Sequence, residues 1–194
     1  MQLAHHAKLA ADYVNQQIRQ LRAQGQDSAA KASLARLRRG IGKAPGSIPE
    51  LWEVTLKGLP EELLSTDGAP TKGEWAVHTA LTLYSLHQQG RDLQNDPMQQ
   101  SDALGTAVGR LVKKEDEDLP RVKRRFDAAA TAESLPEFSH HLRGLVQLLK
   151  AEGIGMDYTK LAEDLVSFQL PESRDKVRLR WGQDFYRQVG KLQS

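Results

Sequence analysis

Apolar residues recur at helical spacing along most of the chain, and no segment alternates in the way that a half-buried strand does. In the first segment the apolar positions lie three or four residues apart and form one stripe: Leu3, Ala7, Ala10, Val14, Ile18 and Leu21. Gly25 can end this helix, and Asp27 or Ser28 can begin a second helix that runs to about Arg39. The pattern predicts an all-α protein.

Two capping boxes predict further helix starts. Thr71 with Glu74, and Ser134 with Glu137, have the spacing in which a hydroxyl accepts from the third backbone amide while the carboxylate reaches back. The first box opens a helix to about Gln89 that is apolar on most sides. We therefore expect a central, well-buried helix there.

The remaining segments predict shorter elements. Glycine and proline indicate loops over 40–49 and 90–100, and the second is the clearest linker. Further short or regular helices are expected over 50–57, 60–65 (a turn or helix), 101–114, 118–131, 134–152, 157–169 and 171–189. The total is about eight to ten helices. A length of 194 residues fits one domain, or two small helical lobes that share a core.

Composition narrows the classes of protein that fit. The absence of cysteine excludes disulfides, zinc–thiolate sites and thiol nucleophiles, and suits a reducing cytosol. No apolar run approaches the roughly 20 residues of a membrane span, and the first residues read as an amphipathic helix without the apolar core of a secretory signal. We expect a cytoplasmic protein.

The net charge of +2 is placed unevenly. Basic residues form three clusters: Lys31, Arg36, Arg38, Arg39 and Lys43; Arg121, Lys123, Arg124 and Arg125; Arg174, Lys176, Arg178 and Arg180. A nearly neutral protein with separate basic patches favours local phosphate contacts over a general attraction to polyanions. The alternative is that these are solvated helix faces with ordinary ion pairs.

Helical spacing aligns several of these cations. One face carries Arg36, Arg39 and Lys43, and another carries Arg121, Arg124 and Arg125. In the last helix, an apolar stripe (Val177, Trp181, Phe185, Val189) runs beside a basic ridge (Lys176, Arg180, Arg187, Lys191), in which Asp184 can tether Arg180. Arginine can bond two phosphate oxygens at once. Because the aromatic residues are expected in the core, contact should be with the nucleic-acid backbone and indifferent to sequence.

Motifs for catalysis are missing from the sequence. His78 and His87 lie nine residues apart on one helix, which places them on opposite sides, and neighbouring histidine pairs point about 100° apart. No nucleophile elbow or phosphate-binding glycine loop is present. We predict no catalytic residue, no metal and no cofactor. A cryptic nuclease or other hydrolase remains an alternative.

Seven stretches occur in an order typical of one family: LARLRRGIGKAPGSIPELW (34–52), EWAVHTALTLYSLHQQG (74–90), LGTAVGRL (104–111), RRFDAA (124–129), HLRGLVQLLK (141–150), MDYTKLAEDL (156–165) and VRLRWGQDFY (177–186). Together they resemble the CasB family, the small subunit of the type I-E CRISPR surveillance complex Cascade. The resemblance implies two packed helical-bundle lobes, which we divide as residues 1–114 and 115–194.

The resemblance also implies a non-catalytic function. Paired copies would line the complex beside the guide-RNA-bound subunits and hold the target and displaced DNA strands of the R-loop, while guide pairing reads the sequence. Carried over by position, the expected phosphate contacts are Arg38, Arg39, Arg124, Arg125 and Arg143, with Arg178 and Arg180 as further candidates. Arg178 and Arg180 can instead pair with acids to fix the last helix, and Arg143 can be a partly buried structural arginine. The alternative function is a helical adaptor that binds an acidic protein without nucleic acid.

Overall fold

The computed structural model describes residues 2–25 and 27–192, with the side chain of Glu115 excepted. Within these ranges the chain forms nine α-helices and three short 3-10 helices, and its β-structure is limited to one isolated bridge between Gln99 and Met156. The α-helices are α1 (Gln2–Ala23), α2 (Ser28–Arg39), α3 (Trp52–Thr55), α4 (Lys72–His87), α5 (Leu104–Gly109), α6 (Glu115–Ala130), α7 (Leu135–Ala151), α8 (Tyr158–Phe168) and α9 (Pro171–Val189). The 3-10 helices are Pro49–Leu51, Glu61–Leu63 and Gly190–Leu192. The predicted all-α class is confirmed.

Helix α4 forms the centre of the molecule, as its apolar pattern predicts. Its residues from Ala76 to His87 are all buried, and α1, α2, α7 and α8 pack around it. The predicted capping box starts it: the Thr71 hydroxyl accepts from the Glu74 amide (3.0 Å), and the Glu74 carboxylate accepts from the Thr71 amide (2.7 Å). These two hydrogen bonds satisfy backbone amides that have no partner within the helix.

The remaining helices pack in pairs around this centre. Helix α1 lies along α8, α6 along α7, and α5 along α9, and their buried side chains join one hydrophobic core. The α5–α9 contact is close because α5 presents Gly105, where an added Cβ atom would overlap the Trp181 carbonyl oxygen. The division into lobes after Lys114 stays a prediction.

Two local predictions need correction. The helix expected over 101–114 is only α5, because the chain turns at Gly109 and Asp118 then accepts from the Lys113 and Lys114 amides to start α6 early. The second capping box is half formed, since the Glu137 carboxylate accepts from the Glu133 amide and not from that of Ser134. The 90–100 segment joins α4 to α5 without a helix, as predicted, and it is held in place because it buries Leu93 and Met98 and bonds to the backbone at 156.

None of the described helices combines the length and the apolar character that crossing a membrane requires.

Candidate nucleic-acid interface

Three of the predicted arginines project freely from the surface of α6 and α7. Arg124 and Arg125 are exposed on α6, opposite the buried Val122 and Phe126. Arg143 is exposed on α7. The ion pairs among described side chains include none of these three arginines, so their guanidinium donors face solvent. They are the predicted residues best placed to contact a phosphate.

The alternative interpretation of Arg143 as a buried, acid-paired arginine is wrong. Its sequence neighbours Leu142, Leu145 and Val146 are fully buried, but they lie on the other side of the helix. At 100° per residue, Arg143 shares its face with Gln147 instead. This periodicity was visible in the sequence and identifies the exposed side.

The other predicted arginine of α6 has an acid partner. Arg121 pairs with Asp118 at 3.1 Å, and the neighbouring Lys123 pairs with Asp127. The backbone amides of Lys114 and Lys113, with Arg121, hold the pKa of the Asp118 carboxyl below its usual value. The positive field of this part of α6 therefore comes mainly from Arg124 and Arg125.

The basic residues at the end of α2 lie in different environments. Arg36 is half-buried and donates to the Ser33 hydroxyl (3.2 Å), while Arg39 pairs with Glu50 (2.7 Å) on the surface. Lys43 is exposed in the following loop. The structure does not bring Arg36, Arg39 and Lys43 together as a single unpaired face.

Arg38 points away from that cluster, toward the end of α4. It is half-buried, donates to the Ser85 carbonyl at 3.4 Å, and burial lowers the pKa of its guanidinium. Two cations that sequence reasoning missed, Arg91 and Lys150, lie in the same region. Burial lowers the pKa of Lys150, and repulsion by Arg38 and Arg91 lowers it further. No local motif could indicate this convergence, because Arg91 and Lys150 are far apart in sequence.

The arginines of α9 are bound to other parts of the fold. Arg178 donates to the Ala130 and Ala132 carbonyls (2.6 and 3.2 Å) and pairs with Glu133 (3.0 Å), so it covers the end of α6. Arg180 pairs with Asp164 at 2.5 Å. These contacts match the acid-paired alternative, and a role for either arginine in binding phosphate stays a prediction.

The predicted tether between Asp184 and Arg180 is wrong. Asp184 instead pairs with Arg187 at 2.8 Å. Arg180 pairs with the buried Asp164 of α8. Asp164 also accepts from the Trp181 indole nitrogen at 2.7 Å. Burial raises the pKa of the Asp164 carboxyl, although Arg180, Trp181 and Lys160 all act in the opposite direction.

Aromatic residues lie mostly in the core, as the sequence predicts. Trp181 stacks with Phe138 and Phe168 at ring-centroid distances of 5.4 Å, and it is buried. Two aromatic side chains are about half exposed: Trp52, whose indole donates to the Gly46 carbonyl, and Tyr186.

The buried histidines of α4 have structural partners. A ring nitrogen of His78 lies 2.9 Å from the Gly40 carbonyl, and His87 Nδ1 lies 2.9 Å from the Tyr158 hydroxyl. Burial lowers the pKa of His87 to about 4, so the ring is neutral at pH 7. Within residues 2–25 and 27–192 no group of three or more histidine, aspartate and glutamate side chains is placed to hold a metal ion.

Comparisons with known proteins identify the family. A family model described as CRISPR-associated protein Cse2 matches residues 33–186. The crystal structure of CasB from Thermobifida fusca is 33% identical and superposes with a TM-score of 0.74, covering 92% of this chain and 98% of that one. This all-α chain therefore belongs to the CRISPR-associated Cse2 family, and the CasB family indicated by the ordered motifs is confirmed.

More distant structures share the fold. A Cse2-family protein from Thermus thermophilus is 23% identical with a TM-score of 0.63, covering 89% of this chain and 97% of that one. A chain of a CRISPR RNA-guided surveillance complex is 19% identical with a TM-score of 0.69, covering 95% and 97%. The comparison with curated proteins gave no match.

Proposed function

We propose that this chain is a non-catalytic, cytoplasmic small subunit of a type I-E Cascade complex. In this function it contacts the backbones of the target and displaced DNA strands, near the guide RNA, and so stabilises the R-loop. Its partners are the other Cascade subunits, a second copy of itself, the guide RNA and the two DNA strands. Membership of the Cse2 family and the similarity to a chain of a CRISPR RNA-guided surveillance complex support this assignment.

The observation that carries the proposal is that Arg124, Arg125 and Arg143, which all lie within the family-matched residues, are exposed without acid partners in the described structure. Arg178 and Arg180, by contrast, bind carbonyl and carboxylate oxygens of their own subunit. An unpaired guanidinium remains available for a phosphate, where it can form two parallel hydrogen bonds. Contacts of this kind need no base recognition, which guide pairing supplies.

The test is reconstitution of the complex with the other subunits and guide RNA. The variant carries Arg124→Glu, Arg125→Glu and Arg143→Glu, and is expected to enter the particle but to form R-loops less readily on matched target DNA. A matched control is Arg19→Glu, which reverses an exposed arginine of α1 outside the family-matched residues and should leave R-loop formation unchanged.

Two results would contradict the proposal. Failure of the unsubstituted chain to enter the particle would exclude a Cascade subunit. Normal R-loop formation by the triple variant would show that these arginines are solvated surface residues without a role in binding DNA. Tight binding of an acidic protein, without salt-dependent retention of DNA or RNA, would favour the adaptor alternative.

A further inference from the structure

Three cations from distant parts of the sequence meet at the ends of α4 and α7. The Arg91 guanidinium donates to the Lys150 carbonyl (2.5 Å), and Lys150 Nζ donates to the Gln89 side-chain oxygen (3.2 Å). Arg38 approaches from α2 and donates to the Ser85 carbonyl (3.4 Å). We call Arg38, Arg91 and Lys150 the Arg38–Lys150 cluster. Neutral oxygen atoms anchor each of its members.

Among the described residues, one of the three cations of the Arg38–Lys150 cluster has a carboxylate partner. Arg91 pairs with Asp96 at 2.6 Å, but the ion pairs among the described residues include neither Arg38 nor Lys150. Asp92 lies in the same groove, where one of its oxygens accepts from two backbone amides of the next turn. Burial and mutual repulsion therefore lower the pKa of Lys150. Half-buried like charges destabilise one another unless an anion is present.

The surface leaves room for an anion beside the Arg38–Lys150 cluster. Two open grooves, of about 350 and 520 Å³, meet at Gln89, Gly90 and Arg91. Lys31 lines the first groove and Gln147 lines the second. Gly90 has a φ of 78°, and no atom lies within 4 Å of the position that a Cβ would occupy. The grooves are therefore open above the backbone at this point.

The exposed face of α7 extends this site. At 100° per residue, four polar side chains fall within an arc of about 80°: His140, Arg143, Gln147 and Lys150. The acid of α7, Glu137, lies in the first turn and accepts from the Glu133 amide. Arg143 and Lys150 are seven residues apart, or roughly 10 Å along the helix axis, which corresponds to about three stacked nucleotides.

We propose that the Arg38–Lys150 cluster is a phosphate-binding site for a single nucleic-acid strand, which then follows the α7 face toward Arg143. This inference rests on the proposed function and adds Arg91 and Lys150 to its contacts. The guanidinium groups supply planar donors for phosphate oxygens, and Lys150 supplies a point charge. The bound anion would offset the repulsion among the three cations of the cluster.

A substitution at Lys150 separates this role from a structural one. Lys150→Met removes one of three mutually repelling charges while keeping the aliphatic chain, so the melting temperature should stay the same or rise. Binding of a short oligodeoxythymidylate by the full chain at low salt should weaken about tenfold. The slope of log K against log salt should become shallower by about 0.7, the contribution of one phosphate contact.

The matched control is Lys8→Met, which removes an exposed lysine paired with Asp12 on α1. It should change neither the affinity nor the salt slope. Unchanged affinity for Lys150→Met, or an equal loss for Lys8→Met, would overturn the inference. A lower melting temperature with unchanged binding would show that Lys150 is structural.

Amide resonances of the isotopically labelled full chain locate the contact. Titration with the oligonucleotide should shift the amides of Gly90, Arg91 and Ala151, whereas inorganic phosphate at the same concentration should shift them little. Equal shifts with inorganic phosphate would indicate a small-anion site and overturn the strand proposal. Shifts confined to the surroundings of Arg124 and Arg125 would overturn the Arg38–Lys150 site and leave the proposed function standing.

Discussion

Replacing Asp164 tests most directly how α8 and α9 are held together. Its carboxylate is 2% exposed and bonds the Trp181 indole nitrogen (2.7 Å) and Arg180 (2.5 Å), with Lys160 at 3.5 Å. Asp164→Ala leaves the buried indole N–H without an acceptor, which costs about 1–3 kcal/mol. The lost pair with the half-exposed Arg180 adds about 1 kcal/mol at most, after solvent screening.

The expected loss of unfolding free energy is therefore about 1–4 kcal/mol, and the melting temperature should fall by about 3–12 °C for a chain of this size, at about 3 °C per kcal/mol. Urea unfolding followed by far-UV circular dichroism measures the change, provided that the m-value stays constant. Asp164→Asn keeps an acceptor for the indole and should lose less.

The neighbouring residue supplies the control. Glu163 pairs with Lys160 at 2.9 Å but is 45% exposed, so Glu163→Ala should change the unfolding free energy by less than about 1 kcal/mol. If Asp164→Ala were as stable as the unsubstituted chain, or if Glu163→Ala were equally damaging, the assignment of Asp164 as the buried acceptor of α9 would be refuted.

Further predictions concern the core and the surface. Because the folded pKa of His87, about 4, lies below its unfolded value, stability should fall as the pH drops from about 6.5, by about 2 kcal/mol at pH 5, and His87→Gln should flatten this dependence in melting curves. Gly105→Ala should lower the unfolding free energy by about 1–3 kcal/mol or more, since the added Cβ would overlap α9. Gly182→Ala, which meets nothing within 4 Å, should raise it by up to about 1 kcal/mol. Arg124→Gln should change stability by less than about 0.5 kcal/mol in urea unfolding.

Helix positions were predictable where short-range chemistry decides them. Thr71 and Asp157 accept from backbone amides three residues ahead, so their caps can be identified without knowing the rest of the fold. The buried stripe of α9 follows from helical spacing in the same way. The end of α5 could not be predicted, because Gly109 lies against α9 through contacts distant in sequence.

The candidate site was predictable only in part for the same reason. Spacing indicates which arginines share a helix face, but their pairing depends on the tertiary fold. Arg180 finds an acid 16 residues earlier on α8, and Arg91 meets the carbonyl of a lysine 59 residues later. Exposure of Arg143 followed from its helical phase, whereas convergence of Arg38 with Lys150 requires the packing of α2, α4 and α7.

The most direct test of the proposed function is R-loop formation by a reconstituted surveillance complex carrying Arg124→Glu, Arg125→Glu and Arg143→Glu in this subunit. We expect a particle of normal composition that captures matched target DNA less well, with a shallower dependence on salt than the Arg19→Glu particle. R-loop formation equal to that of the Arg19→Glu particle, at every salt concentration, would contradict this expectation.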